Sequence, residues 1–368
     1  MVQQLALIPE PPLAALALIL AAALLRFWSK LHDLLHRRRQ VAEGRRRCEL
    51  PRAQTPPVAQ DVAELQEIVR ALFDGGRWDA LAEVLGMLAS TPSPASDGRD
   101  LYQVAVDAAL SSLREAPGPA AVREMLDAYA AAAATGSPRL EALRFRALSL
   151  ALRRTRAVGG GAADALARGF AEDIEDAADR SHLRASRVPC IGEALYHAST
   201  VLPGAPDRTA ARLRAWIEAD LANPRPYLHH AAHLGALPDS AGPLSAHLAE
   251  TDAACRRFDG PATSIAARLA AAADRPLAAL PGHDPEALLR WLEAIADAPG
   301  GQVLANRLAA KALADGDEAL ARGALYRGLR LWITDLWQDH GRFYALYART
   351  FRGASRKRGA AVAAAPAA

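Results

Sequence analysis

Short segments cut apart by glycine, proline and asparagine constrain this chain more than any other feature. Breaks fall at Asp74-Gly75-Gly76, Pro117-Gly118-Pro119, Gly136-Ser137-Pro138, Gly159–Gly161, Asn223-Pro224, Pro281–Pro285 and Pro299–Gly301, among others. The segments between breaks run mostly about 12–20 residues, the length of helices in bundles and solenoids. Within them the apolar residues recur at helical spacing. Val62, Leu65, Val69 and Leu72 share one face, and Trp78, Leu81, Val84, Leu85 and Leu88 share another. No stretch after residue 57 shows the alternation of a strand. Hydrophobic residues make up 51% of the chain but aromatics only 5%, and alanine supplies much of the difference. Alanine is the best helix former and fills little space, so the expectation is an all-α fold of closely packed helices.

Two of the breaks echo each other. Ala71-Leu72-Phe73-Asp74-Gly75 leads into Ala80-Leu81, and Ala312-Leu313-Ala314-Asp315-Gly316 leads into Ala319-Leu320. Each reads as a helix, a tight Asp-Gly turn and a second helix. Leu221-Ala222-Asn223-Pro224 followed by Tyr227, Leu228 and Ala231 is a third junction of similar style. These fragments resemble tetratricopeptide-type helical hairpins, although no strict period of about 34 residues runs along the chain. The resemblance implies an antiparallel helix-pair array, either a solenoid or an irregular bundle, of the kind used to bind proteins and peptides. It brings no catalytic residues.

The N-terminus carries a different signal. Leu13–Leu25 contains only Leu, Ala and Ile. With Pro11 and Pro12 in its first turn, a helix continuing to Trp28 spans eighteen residues. That is about 27 Å at 1.5 Å per residue, close to the hydrocarbon thickness of a bilayer. Arg26 can snorkel and Trp28 suits the interface. A cleaved signal would need positive charge before the apolar run, whereas the leader is Met-Val-Gln-Gln. Cleavage would make the protein secreted and soluble. A soluble core helix would need a polar face, and this run has none. Residues 11–28 are therefore predicted to be a single transmembrane helix.

The charges after it set the direction. From Arg26 to Arg52 there are nine Arg/Lys against Asp33, Glu43 and Glu49. The positive-inside rule places residues 1–10 outside and the body in the cytoplasm, at a bacterial inner (cytoplasmic) membrane; the Ala/Arg-rich composition matches a high-GC bacterial genome. Lys30, Arg37, Arg38, Arg39, Arg45, Arg46 and Arg47 are candidate contacts for anionic lipid headgroups. Four more basic residues lie in the tail at 352–358, which leaves the body net acidic although the whole chain is +3. An acidic body is a poor nucleic-acid surface, so no nucleic-acid partner is expected. Cys48, Cys190 and Cys255 have neither metal nor redox spacing. The expected organisation is a basic juxtamembrane helix and Pro-rich linker over 29–57, helical arrays over 58–158 and 162–351, and a disordered tail over 352–368. The run Gly159–Gly161 marks the division.

Few residues are suited to chemistry. His229 and His233 in Tyr227-Leu-His-His-Ala-Ala-His233 lie four apart, on one helix face, and two such imidazoles can hold a metal. A third ligand would have to come from elsewhere, and His197 and His247 are the nearest imidazoles in sequence. His230 stands where a His-Glu-x-x-His motif needs glutamate. The acidic stretch Glu172–Asp179 reads as a solvated face. No nucleotide loop or nucleophile turn is present, and no cofactor is predicted. The aromatic end of the chain supplies Trp332, Trp337, Phe343, Tyr344 and Tyr347, which either cap the array or receive a partner. One helix is expected over about 317–339, with Gly341 interrupting. The function expected is a non-catalytic, membrane-anchored scaffold that binds protein partners. The alternative is a metal-dependent enzyme centred on His229 and His233.

Overall fold

The structure is a computed structural model. It describes residues 13–351 apart from 91–94, 96–99, 112, 114–118, 135, 182–187, 203–205, 222, 259–260 and 299, and it describes side chains only from residue 26 onward. The segments expected at 1–10 and 352–368 lie outside the described residues. The chain is all-α, with sixteen α-helices among the described residues. In chain order these are α1 (Leu13–Arg47), α2 (Gln60–Asp74), α3 (Trp78–Ser90), α4 (Leu101–Ala109), α5 (Pro119–Ala133), α6 (Pro138–Val158), α7 (Gly161–Arg180) and α8 (Pro189–Ser199). They continue as α9 (Pro206–Ala219), α10 (Arg225–Ala236), α11 (Ala241–Phe258), α12 (Ala262–Ala271), α13 (Pro285–Ile295), α14 (Gly301–Ala314), α15 (Glu318–Arg327) and α16 (His340–Thr350).

The punctuation works as local chemistry requires. Asp284 caps α13 by accepting from Glu286 N and Ala287 N, each at 3.0 Å. Asp317 caps α15 and Asp339 caps α16 in the same way. The two echoed turns share one backbone form. Arg77 N donates to Leu72 O and Asp317 N to Ala312 O, each at 2.9 Å, across left-handed Gly76 (φ 62°) and Gly316 (φ 85°). The backbone thus pairs Gly76 with Gly316, one residue out of register with the Asp-Gly match in the sequence.

Two cores form. The first gathers α2 to α8, from Val69 to Ala198, and the second gathers α10 to α16, from Ala231 to Tyr347. The glycine run 159–161 lies between α6 and α7, which pack against each other inside the first core. The passage from one core to the other comes later, between α8 and α10, where a small cluster of Tyr196, Leu213 and Trp216 sits. A partly buried polar network crosses this seam. Arg146 of α6 pairs with Glu193 of α8 and lies 3.6 Å from Asp107 of α4. Arg225 of α10 donates to Asp107 at 2.7 Å and to Gln103 at 2.9 Å. Glu175, read from the sequence as part of a solvated face, holds Arg208 and Arg212 of α9 at 2.7 and 3.0 Å, while its acidic neighbours are exposed.

The chain ends meet. The second half of α1 packs along α16. The helices come so close at Gly44 that any Cβ there would lie 1.8 Å from the Tyr344 carbonyl oxygen. Gln40, buried on the same side, accepts from Arg349 at 2.7 Å. The linker is pinned as well. Arg52 and Ala53 (β1) pair in parallel with Trp332 and Ile333 (β2), and Arg52 lies over the Trp332 ring at 5.1 Å. The helix expected over 317–339 is shorter than that: α15 ends at Arg327, capped by Gly328, and β2 and a 3-10 turn follow before α16. Gly341, expected as an interruption, lies in the first turn of α16. The physical reason is the pull of α14. Half-buried Gln302 and buried Asn306 project amides that bond the backbone of 328–333, which competes with helical pairing there.

Candidate functional site

Five histidines converge at the seam between the cores: His197 on α8, His229, His230 and His233 on α10, and His247 on α11. Ala194 and Ala198 of α8 are buried in the first core and Ala231 and Leu234 of α10 in the second, with His197 and His233 at intervening positions on the two helices. His197 Nε2 and His229 Nδ1 are 2.9 Å apart. Trp216 of α9 lies against both rings, with centroids at 6.0 and 5.5 Å. Glu193 is one turn before His197 on α8, and its Oε1 is 4.0 Å from His197 Nε2. Ligand atoms from Glu193, His197 and His229 all lie within 4.8 Å of one another.

Behind this trio is a second group. Tyr196 Oη is 3.0 Å from His230 Nδ1, His247 meets His230 edge-on at 4.6 Å between centroids, and His247 Nε2 is 2.9 Å from the Tyr227 carbonyl oxygen. His233 stacks on His230 with centroids 6.2 Å apart. The sequence pair His229 and His233 is thus split: His229 turns to His197, and His233 to His230.

The electrostatics favour neutral rings. Burial holds His197 and His229 well below the ordinary histidine range, and neighbouring arginines lower them further: Arg153 and Arg156 for His197, Arg153 and Arg225 (with His197) for His229. Burial takes His230 down to about 3, with His247 and His233 adding to the shift. His233 and His247 are lowered in the same direction, again chiefly by burial. Neutral imidazoles have the lone pairs that metal binding requires. Cys190, nearby on α8, is pushed up to about 12 by burial and is an inert thiol.

Sequence reasoning singled out His229 and named His197 among the nearest imidazoles, but no spacing brought the two together, and it missed Glu193. A signal did exist. Glu193 and His197 are four apart, the same spacing that singled out His229 and His233.

The aromatic end lies in the second core. Trp332, Trp337, Phe343 and Tyr347 are buried and Tyr344 is half-buried. Trp332 and Phe343 stack at 4.2 Å. Trp337 also forms part of the wall of an open cleft of about 480 Å³ between α10, α12, α14 and the segment before α16. Leu228, Leu269 and Leu304 are among its other apolar residues, with Arg307 and Arg342 among the polar residues around it.

Lys30, Arg37, Arg38, Arg39, Arg45, Arg46 and Arg47 are all exposed along α1. On the same helix Phe27, Trp28, Leu34 and Leu35 are exposed apolar residues. Among the described residues no helix is long and apolar enough to cross a membrane, and the side chains of the run 13–25 lie outside the described residues.

No protein-family model, no curated protein and no solved structure matches this chain.

Proposed function

We propose that the protein is a membrane-anchored, non-catalytic helical scaffold. Residues 11–28 would span the bacterial inner membrane with the N-terminus outside. The body would lie in the cytoplasm, with the basic face of α1 on anionic lipid headgroups. The observation that carries this reading is the continuity of α1. One unbroken helix of 35 residues, about 52 Å long, joins the apolar run to a segment docked on α16. An anchor built this way holds the body at a set height and angle, whereas a flexible linker would let it wander. The linker that follows α1 is clamped by β2, which tightens the same coupling.

A protein partner would enter the cleft beside Trp337 as an apolar segment, by the helix-in-groove mode. Confinement to the membrane raises the effective concentration of such a partner. The binding role is the one that the tetratricopeptide-like resemblance implies.

The test uses the full chain in cells. Carbonate-washed membranes should retain it. A photocrosslinker at Leu304, in the cleft, should trap a discrete partner that one at exposed Met87 on α3 does not. Release by carbonate would remove the anchor, and identical adducts from both positions would remove the cleft as the docking site.

A further inference from the structure

We propose that Glu193, His197 and His229 hold a divalent transition-metal ion that staples α8 to α10 across the seam between the two cores. His197 Nε2 and His229 Nδ1 point at each other at 2.9 Å. A hydrogen bond between them uses one proton. With that proton moved to the far nitrogen of its ring, both atoms carry lone pairs that a turn of the two rings would bring to one point. At metal–nitrogen distances of about 2.0–2.1 Å their separation subtends about 90°, and a movement of about 0.5 Å reaches the tetrahedral angle.

Glu193 is prepared as the third ligand. Arg146, itself buried, holds Oε2, which leaves Oε1 aimed at the histidines, 4.0 Å from His197 Nε2. Arg146 is therefore a positioning residue of the kind that orients metal-binding carboxylates. Arg153 is 3.9 Å from Oε1, and its side chain, 41% exposed, can yield that oxygen and turn to solvent. Trp216 packs beside both imidazoles, and its indole N–H is fully buried with no hydrogen-bond partner among the described residues. Such a donor would suit an oxygen ligand in the fourth position of the metal. Two histidines and a carboxylate with an open position suit zinc or iron(II), whereas magnesium and calcium require all-oxygen sets. Arg146 and Arg153 oppose the ion's charge, and Glu193 and Asp107 offset them. A site of intermediate affinity follows.

The experiment uses full-length protein in detergent, stripped with chelator and titrated with Zn²⁺ or Co²⁺. The expected result is one equivalent bound per chain, visible Co²⁺ d–d bands, and a melting temperature raised by Zn²⁺ but not by Mg²⁺. His229→Gln, at a half-buried position, should abolish the bands while its helical circular dichroism stays at the wild-type level. His197→Gln should do the same where it folds. Glu193→Gln should weaken binding about 10-fold or more. His233→Ala should leave the bands unchanged. Absence of bands in the wild type, equal stabilisation by Mg²⁺, or loss of the bands in His233→Ala would each overturn the site.

Discussion

Asn306 is the residue whose loss should most clearly disable the C-terminal module. It is fully buried on α14, and its amide makes four hydrogen bonds. Oδ1 accepts from Ile333 N at 3.0 Å and from Trp337 Nε1 at 2.9 Å. Nδ2 donates to Gln302 O and to Leu331 O, each at 2.8 Å. In Asn306→Ala the Gln302 carbonyl keeps its helical partner. The Ile333 N–H, the indole N–H and the Leu331 carbonyl do not keep theirs. Each buried group left unpaired costs about 1–3 kcal/mol. Trp337 borders the open cleft, so water can rescue part of this, and the total expected is about 3–6 kcal/mol. That is a large fraction of the 5–15 kcal/mol that typically holds a domain together. Urea unfolding of the full chain in detergent, followed by tryptophan emission, measures it. Arg307→Ala, next in sequence and exposed, is the control and should stay within about 0.5 kcal/mol of wild type. If Asn306→Ala falls within about 1 kcal/mol of wild type, the amide does not hold this segment and the reasoning fails.

Three other predictions test other parts of the molecule. Gly44→Val drives a side chain into the Tyr344 backbone and should lift α1 from α16, freeing the backbone at the exposed Arg45–Arg47 to unwind and be cut by trypsin in the folded protein; unchanged cleavage would contradict the docking. The seam histidines titrate near 6.5 when unfolded and far lower when folded, so stability should be full above pH 6.5 and fall as the pH drops below it. At pH 5.5 the loss is about 1.4 kcal/mol for each histidine kept neutral, and a melting temperature flat from pH 7.5 to 5.5 would refute it. Replacing Arg37, Arg38 and Arg39 with glutamine should weaken binding to vesicles containing anionic lipid by up to about 3 kcal/mol at low salt, with neutral vesicles unaffected; equal effects on both would remove the headgroup contacts.

Much of the helical layout was legible because its causes are local. Asp284-Pro285 marks the start of α13, and the left-handed glycines at 76 and 316 mark turns, whatever surrounds them. The site was legible only in half. His229 could be picked out by its spacing, but its neighbour His197 lies 32 residues away on another helix, and periodicity is silent about which helix face meets which. The break of the last expected helix at Gly328 was hidden for the same reason. Nothing between 328 and 339 forbids a helix; the amides of Gln302 and Asn306, reaching across from α14, decide otherwise.

By itself the sequence determined the all-α class, most of the turn positions and the one-sided basic charge after the apolar run. These depend on φ/ψ preferences, on residues three and four apart and on net charge, all readable within a few residues. Only the tertiary structure decided that α1 lies along α16, that the linker pairs with Trp332 and Ile333, and that Glu193, His197 and His229 share one point. Those choices come from shape and hydrogen-bond complementarity between segments distant in sequence, which no local pattern contains.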